Sequence, residues 1–134
     1  MFVANERKRF DLAGFFRARG EPVALAAITA SELLQGCHRA NSEERRTKRA
    51  AYVERVLSEL PVVAFTLAEA RHHSRIWSDL ARKGLMIGGN DLVIASTAVS
   101  LGYSVATLNR REFVRVEGLD VIEESVLLPF RQDW

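Results

Sequence analysis

Residues 22–36 read PVALAAITASELLQG. From Pro22 to Thr29 the run is apolar almost without interruption, the pattern of a strand buried on both faces, as in a parallel sheet. A helix is expected from Ala30 to about Arg39. Working outward, the same alternation repeats. Upstream, Asp11 to Arg19 reads as a short helix stopped by Gly20. Downstream, a helix runs from Ser42 to Leu60, with Ala50, Val53, Leu57 and Leu60 on one face, and Pro61 stops it. VVAF at Val62 to Phe65 is a strand. Leu67 to Lys83 is an amphipathic helix whose expected apolar stripe is Leu67, Ala70, Ser74, Trp77 and Ala81, with Gly84 as its cap. Asp91 to Leu101 is apolar nearly all round, so a helix buried against the sheet is expected there, closed by Gly102. A strand at Tyr103 to Leu108, a short helix at Arg110 to Val116 and a last strand at Leu119 to Ile122 complete an α/β domain: a mostly parallel central sheet flanked by helices, three layers deep.

At 134 residues the chain has the size of one domain, and 48% hydrophobic with 27% charged residues is the composition of a globular protein. The lone Cys37 excludes an internal disulfide and a multi-cysteine zinc site, and suits a reducing compartment. No apolar run reaches the roughly eighteen residues of a membrane span. The amino end, MFVANERKRF, lacks the order of a secretory signal, so a cytoplasmic location is expected. Net charge is +2, but unevenly spread: residues 1–50 carry ten basic and six acidic groups, residues 111–134 three and six. Sixteen of the nineteen cations are Arg, with clusters at Arg7–Arg9 and Arg45–Arg49. Solvated helix faces explain most of them, and an electrostatic footprint for RNA is the functional alternative.

Four segments share one spacing: Thr29-x-x-Glu32, Asn41-x-x-Glu44, Thr66-x-x-Glu69 and Asn109-x-x-Glu112. Each reads as a capping box, in which the first side chain accepts from a backbone N–H and the Glu reaches back to the cap. A cap of this kind contributes about 1 kcal/mol, a sufficient reason for each Glu to be there. Position adds a second reading. Glu32, Asp91 and the Asn109–Glu112 turn all lie where a strand or loop feeds a helix, and in an open parallel sheet such points gather along the rim that binds ligands. Asp91 opens an otherwise apolar helix, so its charge needs a partner. Converging carboxylates need a cation, and oxygen donors without His or Cys select a hard ion, Mg²⁺ or Mn²⁺. Such an ion can polarise a phosphodiester and activate a water. His38, His72 and His73 show no metal-ligand spacing; His72 and His73 are expected in solvent. Cys37 reads as a small buried hydrophobe. MIGGND, residues 86–91, has the spacing of no nucleotide-binding fingerprint.

ITASELLQG at Ile28 to Gly36, IGGNDLVIASTA at Ile87 to Ala98 and VATLNRREF at Val105 to Phe113 together resemble the PIN-domain family, and within it the VapC-type toxins of toxin–antitoxin operons. The resemblance implies a Mg²⁺- or Mn²⁺-dependent endoribonuclease acting on RNA, a homodimer, and a cognate antitoxin that covers the active-site groove. By position, Glu32 is similar to the family's second acidic residue and Asp91 to its third, and these two are the implied metal ligands. Asn109 stands at the fourth, where many members have Asp, and Glu112 matches the acidic residue before the family's Phe. These four are the implied catalytic residues. Thr107 resembles the hydroxyl residue ending the preceding strand.

The departure is at the amino end, where the family begins with a strand ending in Asp. Met1-Phe2-Val3-Ala4 looks like the portion after that Asp, so residues 1–134 are expected to form a single PIN-like domain lacking its first strand and its first carboxylate. A start site upstream, a decayed gene and a non-catalytic relative are the three explanations, and the first suits the intact pattern downstream. The competing function is a truncated or non-catalytic module that binds antitoxin or RNA without cleaving. Its partner groove would be the amphipathic helices Ser42–Leu60 and Leu67–Lys83.

Overall fold

The structure, a computed structural model, describes residues 2–3, 20–107 and 109–122. The expected helix at Asp11–Arg19, the Arg7–Arg9 cluster and residues 123–134 of the acidic carboxyl end lie outside the described residues.

The elements run in the order β1 (Phe2–Val3), β2 (Leu25–Ala26), α1 (Ala27–His38), α2 (Glu43–Glu59), β3 (Val62–Val63), α3 (Leu67–Lys83), α4 (Gly89–Leu101), β4 (Val105–Ala106) and α5 (Arg110–Phe113). Every strand pairing among the described residues is parallel. Leu25 and Ala26 pair with Val62 and Val63, Phe2 and Val3 pair with Val105 and Ala106, and Val121 bridges to Val105 on the other side. β1 lies against β2, which brings the two pairs together.

Side-chain alternation along the strands divides the interior in two. Val23 and Leu25 join Leu33, Cys37, Val53, Val56 and Ala106 in one core under α1 and α2. Ala24 and Ala26 join Ile76, Leu80, Ile94, Val105 and Phe113 in the other, under α3, α4 and α5. A period of two, buried on both faces, is why the run from Val23 shows no polar residue. The three-layer expectation is met, and Cys37 is buried as expected.

The differences are instructive. The apolar run is a strand only at Leu25–Ala26; the helix begins at Ala27, three residues early, with Ala26 as an N-cap that offers no side-chain bond. The expected gap at the first strand is filled, because Phe2–Val3 occupies the place beside β4. That strand brings no carboxylate. The stripe expected to be buried on α3 is its outer face: Leu67 is 66% and Trp77 52% exposed, whereas Glu69, Ile76 and Leu80 are buried. His72 and His73 are half-buried rather than solvated, and His73 meets Phe65 edge-on. No helix among the described residues is long and apolar enough to cross a membrane.

Candidate active site

Only one of the four expected capping boxes forms as drawn. Thr66 and Glu69 make it at the head of α3, where the Thr66 backbone N–H and hydroxyl both meet the Glu69 carboxylate and Ser100 of α4 approaches it at 3.5 Å. Those bonds, the Thr66 hydroxyl first, hold the Glu69 carboxyl below its ordinary range. Elsewhere the spacing is used differently. Thr29 lies inside α1 and is fully buried, so Glu32 is a mid-helix, half-buried residue rather than a cap. Ser42, not Asn41, caps α2 and accepts from the Arg45 N–H, while Glu44 pairs with Lys48 at 3.4 Å on the surface. Asn109 caps α5 by position but makes no side-chain cap bond, and its own N–H donates to the Thr107 hydroxyl at 2.9 Å.

Glu112 is therefore free of a capping role and turns elsewhere. Its carboxylate accepts from the Gly88 N–H at 3.3 Å and from Asp91. Asp91 lies in the first turn of α4, Glu112 in α5, and Asn109 donates to the Asp91 carboxylate at 3.5 Å. Gly88 sits between the two acids: a methyl built on it would lie 3.7 Å from Glu112 Oε2 and 3.8 Å from Asp91 Oδ2. The hydrogen bond from Asp91 is the largest influence on Glu112 and draws its carboxyl below the ordinary value; the Gly88 N–H and the charges of Arg115 and Arg111 act the same way, against partial burial. The two carboxyl groups face the same point above Gly88, and like charges so placed disfavour full ionisation until a cation arrives.

Asp91, Asn109 and Glu112, three of the four residues expected at the site, thus converge just past the carboxyl end of β4. Glu32 is carried on α1, which packs against α4. No cluster of three or more His, Cys, Asp or Glu able to hold a metal occurs among the described residues. Gly88 was missed by sequence reasoning, although two glycines directly before an acidic helix start signal a close approach to that helix's amino end.

The description of the family model that matches residues 1–119 is PIN domain. The chain belongs to the PIN-domain family. Ribonuclease VapC1 of Rickettsia felis is 39% identical to this PIN domain over 101 residues, 75% of this chain and 75% of that protein. The tRNA(fMet)-specific endonuclease VapC of Salmonella typhimurium is 35% identical over 115 residues, 86% of this chain and 80% of that protein. Among solved structures, DNA-bound VapBC from Salmonella typhimurium matches with a TM-score of 0.78 at 28% identity, covering 90% of this chain and 96% of that one. VapBC-5 of Mycobacterium tuberculosis, from the VapBC family of toxin–antitoxin systems, matches with a TM-score of 0.68 at 28% identity, covering 75% and 81%. These similarities set the PIN domain in the VapC branch.

Proposed function

We propose that this PIN domain is the toxin of a toxin–antitoxin pair, an endoribonuclease that uses Mg²⁺ or Mn²⁺. The observation that carries the reading is the meeting of Asp91 and Glu112 over Gly88, with Asn109 beside them. The residues fit a hard cation. Mg²⁺ takes one or two carboxylates, keeps several waters and completes its shell with substrate phosphate, so two carboxylates and an amide oxygen suffice.

Asp91 and Glu112 are the ligands the geometry favours, and Glu32 is the further acidic residue supplied by the resemblance. A divalent ion held there lowers the pKa of a bound water and offsets charge on the phosphodiester. Asn109 contributes an oxygen or orients water, without charge. Arg111, whose field already reaches Glu112, offers phosphate oxygens a cation at the same rim. The relatives named as ribonucleases support RNA as substrate, and the VapBC structures support an antitoxin partner. A homodimer is part of the same reading, and Leu67 and Trp77 supply exposed apolar surface for protein contact.

RNA cleavage in Mg²⁺ or Mn²⁺, with and without chelator, tests it. Metal-dependent cleavage is expected, lost in Asp91→Ala. Equal cleavage by both proteins, or cleavage that survives chelation, overturns the reading. Stable antitoxin capture with no cleavage in any metal would favour the non-catalytic module.

A further inference from the structure

Two segments distant in sequence carry the two carboxylates, and they are laced together. Gly88 N–H meets Glu112 at 3.3 Å, the Arg115 guanidinium donates to the Met86 carbonyl at 3.1 Å, and Lys83 meets Glu117 at 3.3 Å. Each step back along 83–88 is matched by a step forward along 112–117, so the segments run antiparallel with three rungs.

The rungs are unequal. The outer one joins side chains that are 43% and 81% exposed, where an ion pair contributes little. The inner one is part of the site itself. The middle rung grips the loop backbone a second time, two residues ahead of Gly88. The Met86 and Leu85 side chains are exposed, so the loop is packed on the core only through the next residue, Ile87, and the Met86 carbonyl takes its bond from Arg115. At its other end Arg115 is fixed to the acidic turn, since its N–H donates to the Glu112 carbonyl at 3.1 Å. Arg115 therefore ties the backbone of the Glu112 turn to the loop that leads into Gly88 and Asp91, beside the bond that Glu112 itself makes to Gly88.

We propose that Arg115 is a positioning residue: by holding the Met86 carbonyl it sets the loop so that Gly88 and Asp91 face Glu112. The proposal rests on the cation-site reading above for its consequence, but not for its geometry. Removing an outer support of this kind typically weakens metal binding by about ten- to a hundredfold.

The test compares the 134-residue chain with Arg115→Ala and Arg111→Ala, by hydrogen exchange at the Gly88 amide and by Mn²⁺ titration. Arg115→Ala is expected to speed Gly88 exchange severalfold by easing local opening of the loop, and to weaken Mn²⁺ binding by about tenfold. Arg111→Ala removes the other cation near Glu112 and is expected to leave Gly88 exchange within about twofold of the parent. Unchanged exchange in Arg115→Ala overturns the proposal. So does equal acceleration in both variants, which would make charge rather than the loop bond responsible, and so does faster exchange with unchanged Mn²⁺ affinity. Absence of Mn²⁺ binding by the parent chain counts against the cation site, while the exchange ratio still decides the role of Arg115.

Discussion

Replacing Gly88 by Ala separates the site from the fold. Gly88 precedes α4 with φ −59° and ψ 148°, a conformation open to any residue, so alanine meets no backbone strain. Its methyl would stand 3.7 Å and 3.8 Å from the two carboxylate oxygens, which is ordinary contact rather than a clash. Two effects on stability oppose each other: restricting the unfolded chain stabilises by about 0.4–1 kcal/mol, and alanine is a poorer helix cap than glycine by a similar amount. The net change is expected within about 1 kcal/mol, roughly 3–5 °C in Tm for a chain of this size. The consequence for the site is larger. A methyl covering both oxygens removes solvent from two carboxylates and fills space that a hydrated cation needs, so Mn²⁺ affinity and RNA cleavage should each fall by about tenfold or more. Thermal unfolding followed by circular dichroism, with a parallel cleavage assay, reads both. A loss of Tm well beyond this range refutes the contact geometry. Unchanged Tm with unchanged cleavage refutes the claim that the oxygens facing Gly88 are the working ones.

Asp91→Asn keeps the shape and offers Glu112 an amide donor while removing a carboxylate that would hold the cation, so cleavage should fall at least about a hundredfold while Tm stays level or rises; a lowered Tm would contradict repulsion between the two carboxylates. On α3, Leu80→Ala should cost about 2–5 kcal/mol in denaturant unfolding, whereas Trp77→Gln on the exposed stripe should stay within about 0.5 kcal/mol. Glu69 contributes to stability through its ionised form, because its folded carboxyl lies below the ordinary 4.5. That contribution is present above 4.5 and is lost as pH falls through the lower folded value, so urea midpoints should drop on acidification less in Glu69→Gln than in the parent.

The range of each interaction decides whether the sequence reveals or conceals it. The bounds of α3 were legible because Thr66-x-x-Glu69 and Gly84 are local signals, and Gly84 indeed closes the helix at φ 67°. Its buried face was not. Leu67, Ala70, Ser74, Trp77 and Ala81 share helical spacing, but so do Glu69, Ile76 and Leu80, and contact with α4 through Ser100 chooses the second set. The early start of α1 was hidden because Ala26 caps without a side chain. Asp91 was legible as a lone charge on an apolar helix. That Glu112 abandons its expected cap for Asp91, and that Arg115 reaches Met86 across 29 residues, depends on tertiary placement that no spacing records.

The most direct measurement is a Mn²⁺ titration of the chain and of Asp91→Asn, read by calorimetry or by the electron paramagnetic resonance of the free ion. One Mn²⁺ should bind the parent, and the variant should bind it at least about tenfold more weakly, at equal or higher Tm. Equal affinity in the two proteins, or no binding by the parent, would contradict the cation site.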